Sequence, residues 1–322
     1  MAHGETNHSE SRHSGSRHAL KRILVATTLE ESSDHVVAAG HALARAAGAQ
    51  LHLLHAYVMP AIYYGSPMGM ATVYPYTLEG ERERVEHGLA AQLRRAGVAA
   101  ADVAGQLLEV GTPHRLLAAA ARSLPADLIL VGASEAGGAF APLLGSTADR
   151  VLRLAHVAVL VVRSGFSLPL ARVLAPIDLS ELSDESLRHG LDLVGAVSEE
   201  PPRLETLFVL SHIERVGSSQ FTPEQVERFA HEELERHTRS LAEETGWRAE
   251  PTLRTGLPRQ EILSELEKAP ADLVILGTHG RSGFERLLMG SVAADVVRQA
   301  SVSVLVVPPA AARETEAGGG AQ

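Results

Sequence analysis

The stretch Gly277-Thr-His-Gly-Arg-Ser-Gly-Phe-Glu-Arg-Leu-Leu-Met-Gly-Ser291 directly follows the apolar run Leu273-Val-Ile-Leu276, and its glycines fall in a G-x2-G-x9-G-S pattern. The run reads as a buried parallel strand, and Gly290-Ser291 as the opening of a helix. A glycine-rich turn between strand and helix leaves backbone N–H groups unpaired at the positive helix end, the arrangement that cradles phosphate. The first expectation is therefore nucleotide binding.

The same region occurs twice. From Pro125 to Val162, 18 of 38 residues are identical to those 145 positions further on, without a gap. Pro125-Ala-Asp-Leu falls on Pro270-Ala-Asp-Leu, Leu143-Leu-Gly-Ser146 on Leu288-Met-Gly-Ser291, and Val157-Ala-Val-Leu-Val-Val162 on Val302-Ser-Val-Leu-Val-Val307. Upstream, Arg22-Ile-Leu-Val-Ala26 matches Arg172-Val-Leu-Ala-Pro176 at an offset of 150. The chain is a tandem duplication, with copies expected over residues 20–165 and 170–309, each of ordinary domain size. The His- and Ser-rich residues 1–19 and the Gly-rich residues 310–322 lack the apolar content to fold, so both are expected to be disordered tails.

Composition narrows the function. The 322 residues are 45% hydrophobic, enough for two cores. No apolar run approaches membrane-spanning length and no secretory pattern opens the sequence, so a cytoplasmic protein without membrane insertion is expected. Cysteine is absent, which removes thiolate chemistry and Cys-based metal sites. With 29 basic against 39 acidic residues, net −10, the chain repels a nucleic-acid backbone, and no basic face is segregated. Only Lys21 and Lys268 exist and neither follows a glycine loop, which excludes a P-loop lysine. A first-strand G-x-G-x-x-G, an H-E-x-x-H helix and a nucleophile elbow are also absent.

Within each copy, short apolar runs alternate with helical periods. In the first, strands are expected at 23–26, 51–58, 106–110, 128–131 and 157–162. Helices are expected from a Ser32 or Ser33 cap to Ala47, over 79–96, from Pro113 to Ser123, and from Gly145. This β-α alternation implies an α/β, doubly wound parallel sheet covered on both faces. In that class, ligands sit beyond the carboxyl ends of the strands at the switch point between strands one and four. Asp178 and the Gly277 loop both fall there.

In this strand context, the G-x2-G-x9-G-S pattern resembles that of the universal stress protein family, nucleotide-binding type, and the resemblance runs through both copies. It implies two Rossmann-like domains of strand order 3-2-1-4-5, domains paired through their last strands, and ATP, with Mg2+ on its phosphates where a metal accompanies it. Carried onto the second copy, it makes Gly277, Gly280, Gly290 and Ser291 the phosphate-binding positions and Asp178 the carboxylate holding the adenosine part. Arg281 and Val292 are weaker candidates. The residues themselves also allow plainer roles: Asp178 as a cap of the next turn, and Ser291 as a helix N-cap.

The first copy departs from the pattern. Glu135 stands at the position of Gly280, and Thr28 at that of Asp178. Gly132, Gly145, Ser146 and Thr147 persist, so nucleotide binding there is expected to be weakened. A segment from Tyr57 to Tyr76 carries all five tyrosines of the chain, and reads as a packed loop or a partner-binding lid. Its counterpart, Ile213 to Phe221, reads as short and polar. Three functions follow: a nucleotide-binding stress or regulatory protein read by an unidentified protein partner, an interaction module with a structural nucleotide, or a slow ATPase for which no general base is apparent. The fused copies predict domain pairing within one chain, and a homodimer of chains is compatible with it.

Overall fold

The structure, a computed structural model, describes residues 20–57, 78–133, 144–217, 220–278 and 289–309. In the first copy the elements are β1 (Arg22–Thr27), α1 (Asp34–Ala47), β2 (Gln50–Tyr57), α2 (Leu78–Arg95), β3 (Val103–Val110), α3 (Pro113–Ser123), β4 (Leu128–Gly132), α4 (Ser146–Leu154) and β5 (Ala158–Val162). The second runs β6 (Arg172–Ile177), α5 (Glu181–Val197), β7 (Arg203–Leu210), α6 (His212–Val216), α7 (Pro223–Thr245), β8 (Ala249–Thr255), α8 (Pro258–Lys268), β9 (Leu273–Gly277), α9 (Ser291–Gln299) and β10 (Ser303–Val307). The expected elements of the first copy are all present, with ends shifted by at most three residues.

The ten strands form one sheet in the order β3-β2-β1-β4-β5-β10-β9-β6-β7-β8. Each half is parallel and reads 3-2-1-4-5 from its own edge. The halves join where β5 and β10 pair antiparallel, with Val161 opposite Val304, Leu160 opposite Leu305 and Val159 opposite Val306. Leu160 and Leu305 are equivalent residues of the duplication, so the axis relating the copies passes between them. Every residue of β5 and β10 is buried. Two strands that would otherwise be unpaired apolar edges thus satisfy each other.

Alternation along the strands separates two cores, both continuous across the join. Leu160, Val162, Leu305 and Val307 pack on the side of α1 and α5, while Val159, Val161, Val304 and Val306 pack on the side of α4 and α9. Helices α1 and α5 lie close on the sheet because a glycine faces it in each. A Cβ at Gly40 would stand 2.4 Å from Val25 Cγ2, and one at Gly190 2.6 Å from Ile275 Cγ2.

The repeated Pro-Ala-Asp has a structural explanation. Asp127 Oδ2 accepts from the backbone N–H of Lys21 and Arg22 at 2.7 and 2.8 Å. Asp272 Oδ2 accepts from Ala171 and Arg172 at the same two distances. Each aspartate ties the start of its fourth strand to the start of its first, at the end of the sheet opposite the glycine loops.

One expectation is corrected at the start of α1. Ser33 precedes the helix, but its side chain makes no capping hydrogen bond. Its hydroxyl is drawn instead into a buried polar cluster with Thr27 and Gln92, where water cannot compete. A second correction concerns the start of the stretch read as short and polar: it forms the short helix α6, on which Ile213 is 81% exposed and Val216 65%, so that part presents apolar surface. Residues 58–77, which hold most of the Tyr/Met segment, lie outside the described residues.

Candidate nucleotide site

At the carboxyl end of the sheet, each copy makes the same turn. The first strand is followed by a leucine in the left-handed region, Leu29 with φ 67° and Leu179 with φ 61°. A non-glycine residue there is strained and persists only where its surroundings hold it. In the first copy, Leu29 N–H donates to Thr27 Oγ1 at 3.1 Å, and Arg95 Nη2 donates to the Leu29 carbonyl at 3.0 Å. The same Arg95 also donates to both oxygens of Asp34, and this hydrogen bonding raises its pKa above the usual guanidinium value. In the second copy, Ser183 Oγ accepts from Asp178 N–H at 3.4 Å, as Ser33 Oγ does from Thr28 N–H at 3.3 Å.

The side chains at the turn differ. Asp178 Oδ1 accepts from Ser180 N–H at 3.1 Å and from Ser180 Oγ–H at 2.6 Å. Ser180 in turn caps α5, accepting from Ser183 N–H at 3.3 Å. The plainer role of Asp178, bracing its own turn, is therefore realised through one carboxylate oxygen. In the first copy, Thr28 Oγ1 donates to Ser33 Oγ at 3.1 Å, and the fully buried Gln92 both accepts from Thr27 Oγ1 at 2.5 Å and donates to Ser33 Oγ at 2.7 Å.

Across from these turns, the fourth strands end in glycine. β9 ends at Gly277, Thr278 N–H donates to the Val307 carbonyl at 3.1 Å, and Gly290 N–H donates to the Thr278 carbonyl at 2.8 Å. Helix α9 starts at Ser291 with Gly290 as its N-cap, and no side chain caps it. Ser291 is thus the first helical residue rather than the cap, and Val292 packs partly buried against the core. Helix α4 repeats this with Gly145 as N-cap, also without a side-chain cap. Among the described residues, no side chain caps the first turn of either helix, which leaves backbone donors there as at anion-binding helix ends. Gly280 and Arg281 lie outside the described residues, as does Glu135.

Above the first copy the turn and the helix start enclose a cavity of about 770 Å³, within the range of small-molecule sites. Gly132, Gly145, Ser146 and Thr147, all expected as weaker site residues, line it. So do Glu30 and His55, which the sequence reading did not single out. His55 Nδ1 lies 2.9 Å from the Thr27 carbonyl, so this nitrogen carries the proton. Beside the cavity-lining Pro113, burial and the nearby Arg150 and Arg115 lower the pKa of His114.

Against this geometry, the profile of the universal stress protein family matches residues 19–163 and again 170–308. The chain belongs to the universal stress protein family. A universal stress protein of Mycolicibacterium smegmatis is 28% identical over 308 residues, spanning 89% of this chain and 97% of that one. One from Methanocaldococcus jannaschii is 31% identical over 149 residues, 46% of this chain and 86% of its own. Among solved structures, a universal stress protein from Archaeoglobus fulgidus shares the fold at a TM-score of 0.64 and 19% identity, covering 89% of this chain and 98% of its own. Among the described residues, no helix is long and apolar enough to cross a membrane.

Proposed function

We propose that this universal stress protein binds an adenine nucleotide, ATP with Mg2+ on its phosphates, and acts as a regulatory protein of the stress response whose conformation a protein partner reads. The second copy is the main site, through Asp178, Gly277, Gly280, Gly290 and Ser291. What supports the reading is that Asp178 and the α9 start follow the carboxyl ends of two neighbouring strands, β6 and β9, at the switch point. β6 and β9 are neighbours in the sheet, and the connections from them run to opposite sides. A carboxylate suited to a ribose diol thereby shares one end of the sheet with an uncapped helix start suited to phosphate. The donors of α9 would hold phosphate oxygens, and Asp178 would hold the ribose or the metal. Arg281 would add charge to the same phosphates.

Thermal melting with and without Mg-ATP tests this. A ligand at one hundred times its dissociation constant stabilises the folded chain by about 2.7 kcal/mol. The wild-type chain is expected to shift, and Asp178→Ala combined with Gly277→Asp to lose most of the shift. No shift in the wild type would overturn the reading, and a shift that the double variant leaves intact would remove the second copy as the main site. Phosphate release lost in the same variant would add slow hydrolysis to the function.

A further inference from the structure

The turn after the first strand reads Thr28-Leu29-Glu30 in one copy and Asp178-Leu179-Ser180 in the other. Hydroxyl and carboxylate have exchanged ends about the same left-handed leucine. The backbone logic of the turn is kept. In each, the third residue's N–H bonds to the first residue's side chain, Glu30 N–H to Thr28 Oγ1 at 3.4 Å and Ser180 N–H to Asp178 Oδ1 at 3.1 Å. In the second copy the carboxylate serves the turn as well as the site. In the first, the Thr28 hydroxyl serves the turn, and the Glu30 carboxylate makes no hydrogen bond or ion pair among the described residues. Glu30 nevertheless lines the 770 Å³ cavity, together with Thr28, Gly132, Gly145 and Ser146.

We propose that Glu30 is the ligand carboxylate of the first copy, and that this cavity holds a ribonucleotide by its ribose diol. The inference rests on the nucleotide-binding reading above and extends it to the copy that lacks an acid at position 28. A free carboxylate accepts both hydroxyl hydrogens of a vicinal diol, and removal of one hydroxyl forfeits a charge-assisted hydrogen bond. Although it stands two residues beyond the position of Asp178, Glu30 is among the residues that line the cavity. The uncapped start of α4, which lines the same cavity, would hold the phosphates.

The test uses the full chain carrying Asp178→Ala and Gly277→Asp, so that the second site is silent. Equilibrium dialysis against Mg-ATP and against Mg-2′-deoxy-ATP then reads the first site alone. One nucleotide per chain is expected, with the ribose form favoured about tenfold or more, as for a hydrogen bond to a charged group. Adding Glu30→Gln should bring the preference below about twofold while leaving the melting temperature of the ligand-free chain unchanged, since Glu30 is exposed and unpaired. A preference that survives Glu30→Gln overturns the assignment. Wild-type binding of a single nucleotide that disappears entirely in the Asp178→Ala, Gly277→Asp chain also overturns it, and leaves the second-copy reading standing. A wild-type chain that binds neither nucleotide overturns both.

Discussion

Arg22 and Arg172 occupy the same place in the two copies, at the start of the first strand, yet meet opposite partners. In the second copy Arg172 Nη2 lies 2.5 Å from Glu205 Oε2, and both side chains are almost wholly buried. At the equivalent register of the first copy stands His52, buried on β2 two residues along from Gln50, the partner of Arg22, as Glu205 is from Arg203. There Gly105 on the neighbouring strand makes the room, since a Cβ at that position would lie 2.4 Å from His52 Nδ1. One copy thus buries an ion pair and the other a neutral imidazole beside a cation. The difference teaches that duplicated backbones constrain where a polar group sits, but leave its charge state to the partner across the strand.

The largest expected effect separates these two arginines. Arg172→Met leaves Glu205 buried without its counter-charge, which costs about 3–5 kcal/mol. Arg22→Met removes only an unfavourable neighbour of His52, and is expected to change stability by less than about 1 kcal/mol. Urea denaturation of the two variants checks this. Equal losses would mean that the copies are electrostatically alike after all.

A second pair should respond alike where the first does not. Gly40→Val and Gly190→Val each drive a side chain into the sheet beneath α1 or α5, and overpacking of this kind costs about 1–3 kcal/mol. Because Val25 and Ile275 are β-branched and stiff, neither can turn aside cheaply. Midpoints that fall together would confirm equal packing of the helices. A loss at only one position would break the symmetry of the cores.

A pH response in the histidine range is expected from the first copy. Burial, and then the Arg22 guanidinium, lower the pKa of His52 below its ordinary value of 6.5. The unfolded chain therefore takes up the proton first as pH falls. Stability from this group is fully present above the unfolded pKa, declines as pH falls below it, and levels off below the folded pKa. His52→Gln should flatten the stability profile by up to one proton in that window, and Arg22→Met should narrow the window. An unchanged slope in His52→Gln would show that another group sets the acid response.

The fold was legible because duplication exposes it: a repeated Pro-Ala-Asp, Gly-Ser and Val-Leu-Val-Val cannot coincide in register unless the strands they mark are equivalent. Of the candidate site, the two helix starts were legible because Gly-Ser is contiguous in sequence. Asp178 was singled out because it follows the first strand at the switch point, and the resemblance gave it a role. Glu30 was not, since a two-residue displacement looks like simple loss until the left-handed leucine shows that the turn itself is unchanged. His55 and Gln92 reach the first copy's turn across 28 and 65 residues of chain, and local spacing carries no signal at that range. The role of Ser33 was misread for the same reason, because its strongest partner, Gln92, lies on another helix.

The smallest effect concerns the join between the copies. Arg153 and Arg298 are equivalent residues, and Asp149 serves both, at 3.1 Å to Arg153 Nε and 3.0 Å to Arg298 Nη2. The position equivalent to Asp149 is Ala294, which is buried and carries no charge. A single carboxylate therefore bridges the copies. Burial pushes the Asp149 pKa up, but the hydrogen bonds from Arg153 and Arg298 outweigh it and hold the group below 3.8. A depressed carboxylate contributes stability that is present above its unfolded pKa and lost as pH falls through the folded one, so the bridge is intact at neutral pH. The arginines are partly exposed, which limits the loss in Asp149→Asn to less than about 1 kcal/mol. The loss should shrink further in high salt, as it would not if Asp149 mattered by packing. Urea midpoints at low and high ionic strength distinguish the two. A salt-independent loss would mean that Asp149 supports the join by packing rather than by charge.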